Sequence, residues 1–380
     1  MMKNYCIFAA QFLPHMGGVE RYTYNLAKKL IEKGNSVMVV TSDISSRVPF
    51  ELIDGIKVYR FPSINFLNGR YPVLKFWSKD YRRLYKEIER NDFDLVIVNT
   101  RFYLHSICGV RYAKMHNQKS IMIDHGTSHL SVHNKVLDTI GGWWEHFITR
   151  IDYHYCKEYY GVSEASCEWL KHFGINAKGV LYNAIDLEQI EQIKSNKKQD
   201  FREKFGITEN AKIIAFTGRL LKEKGIIPLV ESVEKICEQR DDVYLFLAGD
   251  GDLNEYVKEH SSNHIIPLGR LSFESIIDML VDSDIFCLPS FSEGFSTSVL
   301  EAVACGCYVI TTERGGSKEM ITSRDYGMII KNNEQKRVYD ALLQIVDNDG
   351  ERRMACERCY DKLKNNYTWD IVSDKVIELG

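Results

Sequence analysis

The sequence predicts an α/β protein of two Rossmann-like, doubly wound parallel-sheet domains, and three observations predict it. At 380 residues the chain is too long for one ordinary core and suits two. Short apolar runs without alternation recur along it, separated by stretches of helical period, as expected of parallel strands buried on both faces. That series stops near residue 186 and then begins again.

In the first series the β-rich runs fall at 5–10, 37–41, 95–99, 120–124 and 159–163, with helical stretches at 20–32, 74–90 and 104–116. Residues 188–203 are polar and charged and carry no such run. The second series follows at 213–217, 243–248, 265–268, 285–288, 308–311 and 328–330. The boundaries that result are 1–186 and 187–366, with 367–380 as an amphipathic helix expected to pack back toward the first domain. In open parallel sheets, ligands bind beyond the carboxyl ends of the strands, where helix N-termini converge. Two such domains facing a cleft suit a reaction of two substrates.

Hydrophobic residues make up 44% and charged residues 27%, a soluble globular mixture, and the net charge of −3 gives no basic field for nucleic acid. The ten cysteines are scattered, and neither Cys356/Cys359 nor Cys305/Cys307 has a second pair at metal-site spacing. No apolar signal core opens the chain and no apolar run approaches the roughly 20 residues that span a bilayer, which predicts a cytoplasmic protein.

Four constellations follow strand runs. The first is 289–302, PSFSEGFSTSVLEA, with a helix opening near Ser296 or Thr297. Glu293 in its loop and Glu301 two turns into the helix can border one ligand, and the backbone N–H groups of Phe295, Ser296 and Thr297 face it as helix-end donors. The second is 217–225, TGRLLKEKG, in which Arg219 and Lys224 can clamp a diphosphate. The third is Gly17-Gly18, where a turn without side chains admits a phosphate or sugar. The fourth is 124–129, DHGTSH, whose His125 can act on a hydroxyl or hold a sugar. No GxGxxG and no GxxxxGK[ST] is present, which argues against dinucleotide enzymes and P-loop NTPases.

The order GGVER, DHGT, GVSE, YNAID, TGRLLKEKG, LAGDGD, LGRLS and PSFSEGFSTSVLEA resembles the retaining glycosyltransferases of the GT-B fold, especially the family 4 group, over essentially the whole chain. The resemblance implies a donor domain at 187–366 and an acceptor-side domain at 1–186. It implies transfer of a hexose from a nucleotide sugar to a glycan or lipid-linked acceptor in surface polysaccharide synthesis, with no separate cofactor. It further implies that Glu293 meets the sugar, Glu301 the ribose, and Arg219 and Lys224 the diphosphate, with Gly294 among the residues that bind the donor. Leu268 and Leu271 would flank the base, Gly17 and Gly18 would line the site from the first domain, and His125 would stand near the sugar. Ser296 and Ala184 stand where the family often has glycine.

The spacing DxD, typical of metal-dependent transferases, occurs at Asp92/Asp94, Asp250/Asp252, Asp282/Asp284 and Asp347/Asp349. Only Asp250/Asp252 exits a strand at the expected end, and there it reads as a turn, so no metal is expected at the donor. Two other readings share the architecture: a non-hydrolysing epimerase of sugar nucleotides, and an idle nucleotide-sugar sensor or scaffold. The segment 71–90 mixes Phe76 and Trp77 with six basic residues and reads either as a helix resting on anionic lipid at the inner membrane face or as a docked helix with a solvated basic side.

Overall fold

A computed structural model of the chain describes residues 2–44, 48–66, 71–129, 135–291 and 295–380, without the side chains of residues 135 and 136. It forms two compact units, one of residues 1–183 with 369–380, the other of residues 184–368.

The first unit is built on one sheet. Its strands are β1 (Asn4–Ala9), β2 (Ser36–Asp43), β3 (Phe50–Ile53), β4 (Ile56–Phe66), β5 (Tyr71–Leu74), β6 (Leu95–Asn99), β7 (Ser120–Asp124), β8 (Tyr159–Gly161) and β9 (Gly179–Val180). Their order is β3-β4-β2-β1-β6-β7-β8-β9, with β5 on β4. All neighbours are parallel except β3 on β4 and β5 on β4. The order reverses between β1 and β6, which marks the crevice where such sheets bind ligands. Phe8, Val40, Phe61, Val96, Val98 and Tyr112 meet under the helices in one buried cluster.

The structure corrects two expectations. The run 74–90 is not one helix: Tyr71–Leu74 is the antiparallel strand β5, and the helix spans only Lys79–Ile88, capped by Ser78. Strands β3 and β4 lie where no run was expected. β4 alternates between buried and exposed positions in its first residues and ends exposed, so it lacks the continuous apolar signature of its neighbours.

The helix Trp369–Leu379 belongs to the first unit. Trp369 packs edge-on against Tyr22 at 5.0 Å, and Lys33 Nζ donates to Asp374 Oδ1 at 2.6 Å. Burial of Val372 and Val376 adds about 1.5–3 kcal/mol each. All five tryptophans of the chain, Trp77, Trp143, Trp144, Trp169 and Trp369, lie in this unit.

The second unit carries β10 (Lys212–Thr217), β11 (Val243–Ala248), β12 (Ile265–Gly269), β13 (Ile285–Leu288), β14 (Tyr308–Thr312) and β15 (Met328–Ile330). The order β12-β11-β10-β13-β14-β15 is parallel throughout, and it reverses between β10 and β13. These are the six runs read from the sequence. β10, β11, β13 and β14 are short and almost wholly buried, so apolar continuity reveals them, whereas β12 is buried only at Ile265.

Candidate active site

In the second unit the exits of β10 and β13, side by side at the reversal, are sewn together. After β10 come Gly218, Arg219, a single 3-10 turn at Lys222–Lys224, and Gly225, which opens the helix Ile226–Cys237. Glu223 O accepts from Phe291 N–H and from Ser290 Oγ, both at 3.0 Å. Gly225 has φ +75, and a Cβ there would lie 2.2 Å from Pro289 O, so only glycine lets the two loops touch.

The neighbouring exits join the same seam. Gly218 N–H donates to Ala248 O at 3.0 Å, Leu220 N–H to Asp250 O at 2.9 Å, and Gly249 N–H to Gly269 O at 2.8 Å. A Cβ on Gly249 would fall 1.8 Å from Gly218 O.

This seam brings most of the expected donor residues to one end of the sheet. Arg219 is exposed, and its guanidinium bonds to none of the described residues; Lys224 is half-buried. The helix Thr297–Ala304 starts after Ser296, whose side chain makes no cap bond. Its first N–H groups therefore point out of the helix end as donors. Phe295 is buried, with its ring 5.2 Å from that of Tyr367. Glu301 is only 6% exposed. Leu268 and Leu271 are half-buried at the β12 exit, two strands from β10. Glu293 and Gly294 lie outside the described residues.

Six of the eight carboxylates at the DxD positions have partners within the chain. Asp282 pairs with Lys197, Asp284 with Arg202, Asp347 with Arg240 and Asp349 with Lys212. Asp94 Oδ2 accepts from Asn4 N–H at 2.7 Å, and Asp250 is bonded to Asn254 within its turn.

In the first unit, Gly17 and Gly18 start the helix Gly18–Glu32 after β1. Glu20 Oε2 accepts from Gly17 N–H at 2.8 Å, so one of the donors expected to face a ligand is met by the chain's own carboxylate. Burial raises the pKa of Glu20.

His125 leaves β7 half-buried, its ring edge-on to Tyr22 at 4.8 Å. Its Nε2 stands 3.3 Å from Asn99 Oδ1, and the Asn99 amide donates to Thr23 Oγ1 at 2.7 Å. Desolvation pushes the His125 pKa down to about 3. The imidazole is therefore neutral near pH 7. Donation from Nε2 leaves a lone pair on Nδ1, which suits accepting a hydroxyl proton in a hydrogen bond better than removing it.

The sequence reading missed a buried charge cluster beside the β1/β6 reversal. Thr100, a β-branched residue at φ +66, ends β6 and is followed by Arg101, which is 1% exposed. Arg101 Nε lies 3.5 Å from Asp124 Oδ1, its Nη1 lies 3.5 Å from Glu145 Oε2, and its guanidinium covers the Phe173 ring at 3.8 Å. Burial pushes Asp124 up to about 6 against the pull of Arg101, and drives buried Asp152 well above the carboxylate range. Two signals were available: Arg101 lies two residues past the run 95–99, and Glu145 and Asp152 sit seven apart on one helix face.

Two doubly wound sheets of this kind, each with its loops gathered at a strand-order reversal, are the GT-B architecture of glycosyltransferases. The description "Glycosyltransferase Family 4" matches residues 16–189, and "Glycosyl transferases group 1" matches residues 197–361. The chain belongs to the family 4-like glycosyltransferases of the GT-B fold. It is 25% identical over 375 residues to the uncharacterized glycosyltransferase MJ1069 of Methanocaldococcus jannaschii, covering 96% of this chain and 94% of that one. It is 25% identical to the phosphatidylinositol N-acetylglucosaminyltransferase gpi3 subunit of Schizosaccharomyces pombe, over 96% of this chain and 77% of that one. The solved structure of Anabaena HepE in complex with UDP has the same fold, with TM-score 0.73 and 16% identity over 100% of this chain and 99% of that one.

Proposed function

We propose that the chain is a retaining glycosyltransferase that moves a hexose from a nucleoside-diphosphate sugar to a lipid-linked or glycan acceptor, with no divalent cation at the donor. One observation carries this reading: the seam between the β10 and β13 exits places Arg219, Lys224 and the start of Thr297–Ala304 at one sheet end. A guanidinium, an ammonium and a helix N-terminus are what a leaving diphosphate needs. The diphosphate of HepE's UDP supports the same ligand class.

In this reading Glu301 holds the ribose, Leu268 and Leu271 flank the base, and Phe295, Ser296 and Thr297 offer N–H groups to donor oxygens. Gly17 and Gly18 line the acceptor side, while His125 hydrogen-bonds a sugar hydroxyl. The sugar–phosphate bond breaks as the acceptor oxygen bonds the anomeric carbon on the same face, and the acceptor proton passes to the departing phosphate. The protein supplies position and charge.

The test is nucleotide release from UDP-, GDP- and ADP-sugars, with and without acceptor, after EDTA treatment. Release is expected to need acceptor and to be unchanged by added Mg²⁺ or Mn²⁺. Activity restored only by those ions would defeat the cation-free donor site. Sugar interconversion without acceptor would indicate an epimerase, and binding without turnover an idle sensor.

The lipid-linked acceptor has its own support. No described helix is long and apolar enough to cross a membrane. The helix Lys135–Tyr155 nevertheless exposes Leu137, Ile140, Trp143, Trp144 and Phe147, an i, i+3, i+7 stripe that water does not favour. This stripe would bring the chain to a membrane surface, beside the exposed Phe76 and Trp77 of segment 71–90 as a second candidate contact. The wild-type chain should float with vesicles of anionic lipid at low salt, and Trp143→Ser with Phe147→Ser should leave it at the bottom. Wild-type protein that stays at the bottom ends the idea.

A further inference from the structure

Three histidines from separate segments of the first unit converge on one point. His129 follows the β7 exit loop, His146 lies on the helix Lys135–Tyr155, and His172 lies in the 3-10 turn Lys171–Phe173. His172 Nε2 stands 3.2 Å from His129 Nε2 and 3.2 Å from His146 Nε2, and the three nitrogens all lie within 4.8 Å of one another.

The rings are held from behind. His129 Nδ1 lies 3.0 Å from Glu145 Oε2; an ionised carboxylate only accepts, so Nδ1 carries the proton and Nε2 the lone pair. His172 stacks on Trp169 at 4.8 Å and 7°, and His146 leans on Phe173 at 4.6 Å. Glu145 is buried and also contacts Arg101, so the backing carboxylate is itself fixed.

Hydrogen bonds among the rings alone serve this geometry poorly. His172 Nε2 carries at most one proton, so it cannot give a well-aligned N–H to both neighbours. A cation accepts three lone pairs at once. For nitrogens about 2.0–2.1 Å from zinc, tetrahedral angles set them about 3.3–3.4 Å apart, close to the two short separations seen here.

We infer that His129, His146 and His172 bind a divalent transition metal of zinc's preferences, with Glu145 as the carboxylate that orients His129. Three imidazoles with a carboxylate behind one of them match that ion's chemistry and leave a fourth position for water. The metal ties the loop that follows His125 to a long helix and a turn, and so fixes a segment bordering the candidate site. The inference stands apart from the transferase reading: its ligands belong to the first unit, whereas Arg219 and Lys224 belong to the second.

The test uses the full chain freed of any purification tag, titrated with Co²⁺ and then Zn²⁺. One equivalent of Co²⁺ should give the intense visible absorption of a four-coordinate site, and Zn²⁺ should bleach it. His129→Ala, His146→Ala and His172→Ala should each weaken binding by more than the roughly 10–100-fold that loss of an outer partner costs, while His154→Ala, exposed on the same helix, should not. No cobalt band in the parent chain, or equal uptake by His172→Ala, overturns the inference.

Discussion

Arg219→Ala is expected to lower kcat by about 10²-fold or more, roughly 2.7 kcal/mol of lost transition-state stabilisation, and Lys224→Ala a similar amount. The size follows from the proposed reaction, in which charge grows on the leaving phosphate oxygens and these two cations at the β10 exit would meet it. Arg219→Lys should recover little, because a point charge cannot reproduce two parallel N–H bonds to phosphate. The Arg219 side chain is exposed and bonds to none of the described residues, so the fold does not depend on it. Unchanged melting with collapsed turnover is the expected pattern, measured by circular dichroism beside acceptor-dependent nucleotide release. Full rescue by lysine would remove the bidentate clamp from the account.

The second large effect is on stability. Gly249 sits at φ +151, and a Cβ there would lie 1.8 Å from Gly218 O, so Gly249→Ala must displace backbone. It should cost more than about 3 kcal/mol, through conformational strain together with the lost contact between the β10 and β11 exits. Gly206 has φ +63 and open space around it, so Gly206→Ala should cost only the left-handed penalty of about 1–2 kcal/mol. Both lie in the second unit, which holds no tryptophan, so the two units can be followed separately. In urea, Gly249→Ala should shift the far-ultraviolet dichroism transition and leave the tryptophan emission transition in place. Equal costs for the two glycines would contradict the close-approach argument.

Most of the strand frame was legible in the sequence because a strand buried on both faces is written as a continuous apolar run. β6, β7, β10, β11 and β13 fall where those runs fall. β3 and β4 were not legible: Glu51, Lys57 and Arg60 interrupt the pattern, and Arg60 enters the interior by pairing with Glu51 and donating to Leu13 O. Tyr71–Leu74 passed for the start of a helix because its pairing with β4 is a distant contact with no local mark. The loops that carry the proposed donor residues were legible as strand exits, as the segment with Arg219 follows β10. The Arg101–Glu145 contact and the three histidines were not. Residues 101, 129, 145, 146 and 172 come together only through tertiary packing, and single histidines on a helix or turn carry no signal by themselves.

The seam at the β10 and β13 exits bears on how this enzyme can be re-engineered. Its donor loops are not cassettes to be exchanged one at a time. A loop 218–225 taken from another enzyme must present bare backbone opposite Pro289 and bring its first carbonyl against a glycine at 249, and a loop 289–291 must return its N–H and hydroxyl to Glu223 O. A transplant of either alone inherits half of each contact. Changes of donor preference are therefore better sought at side chains that take no part in the seam's hydrogen bonds and glycine contacts, Ser296 and Leu271 among them, while the loops that form it are best moved as a block.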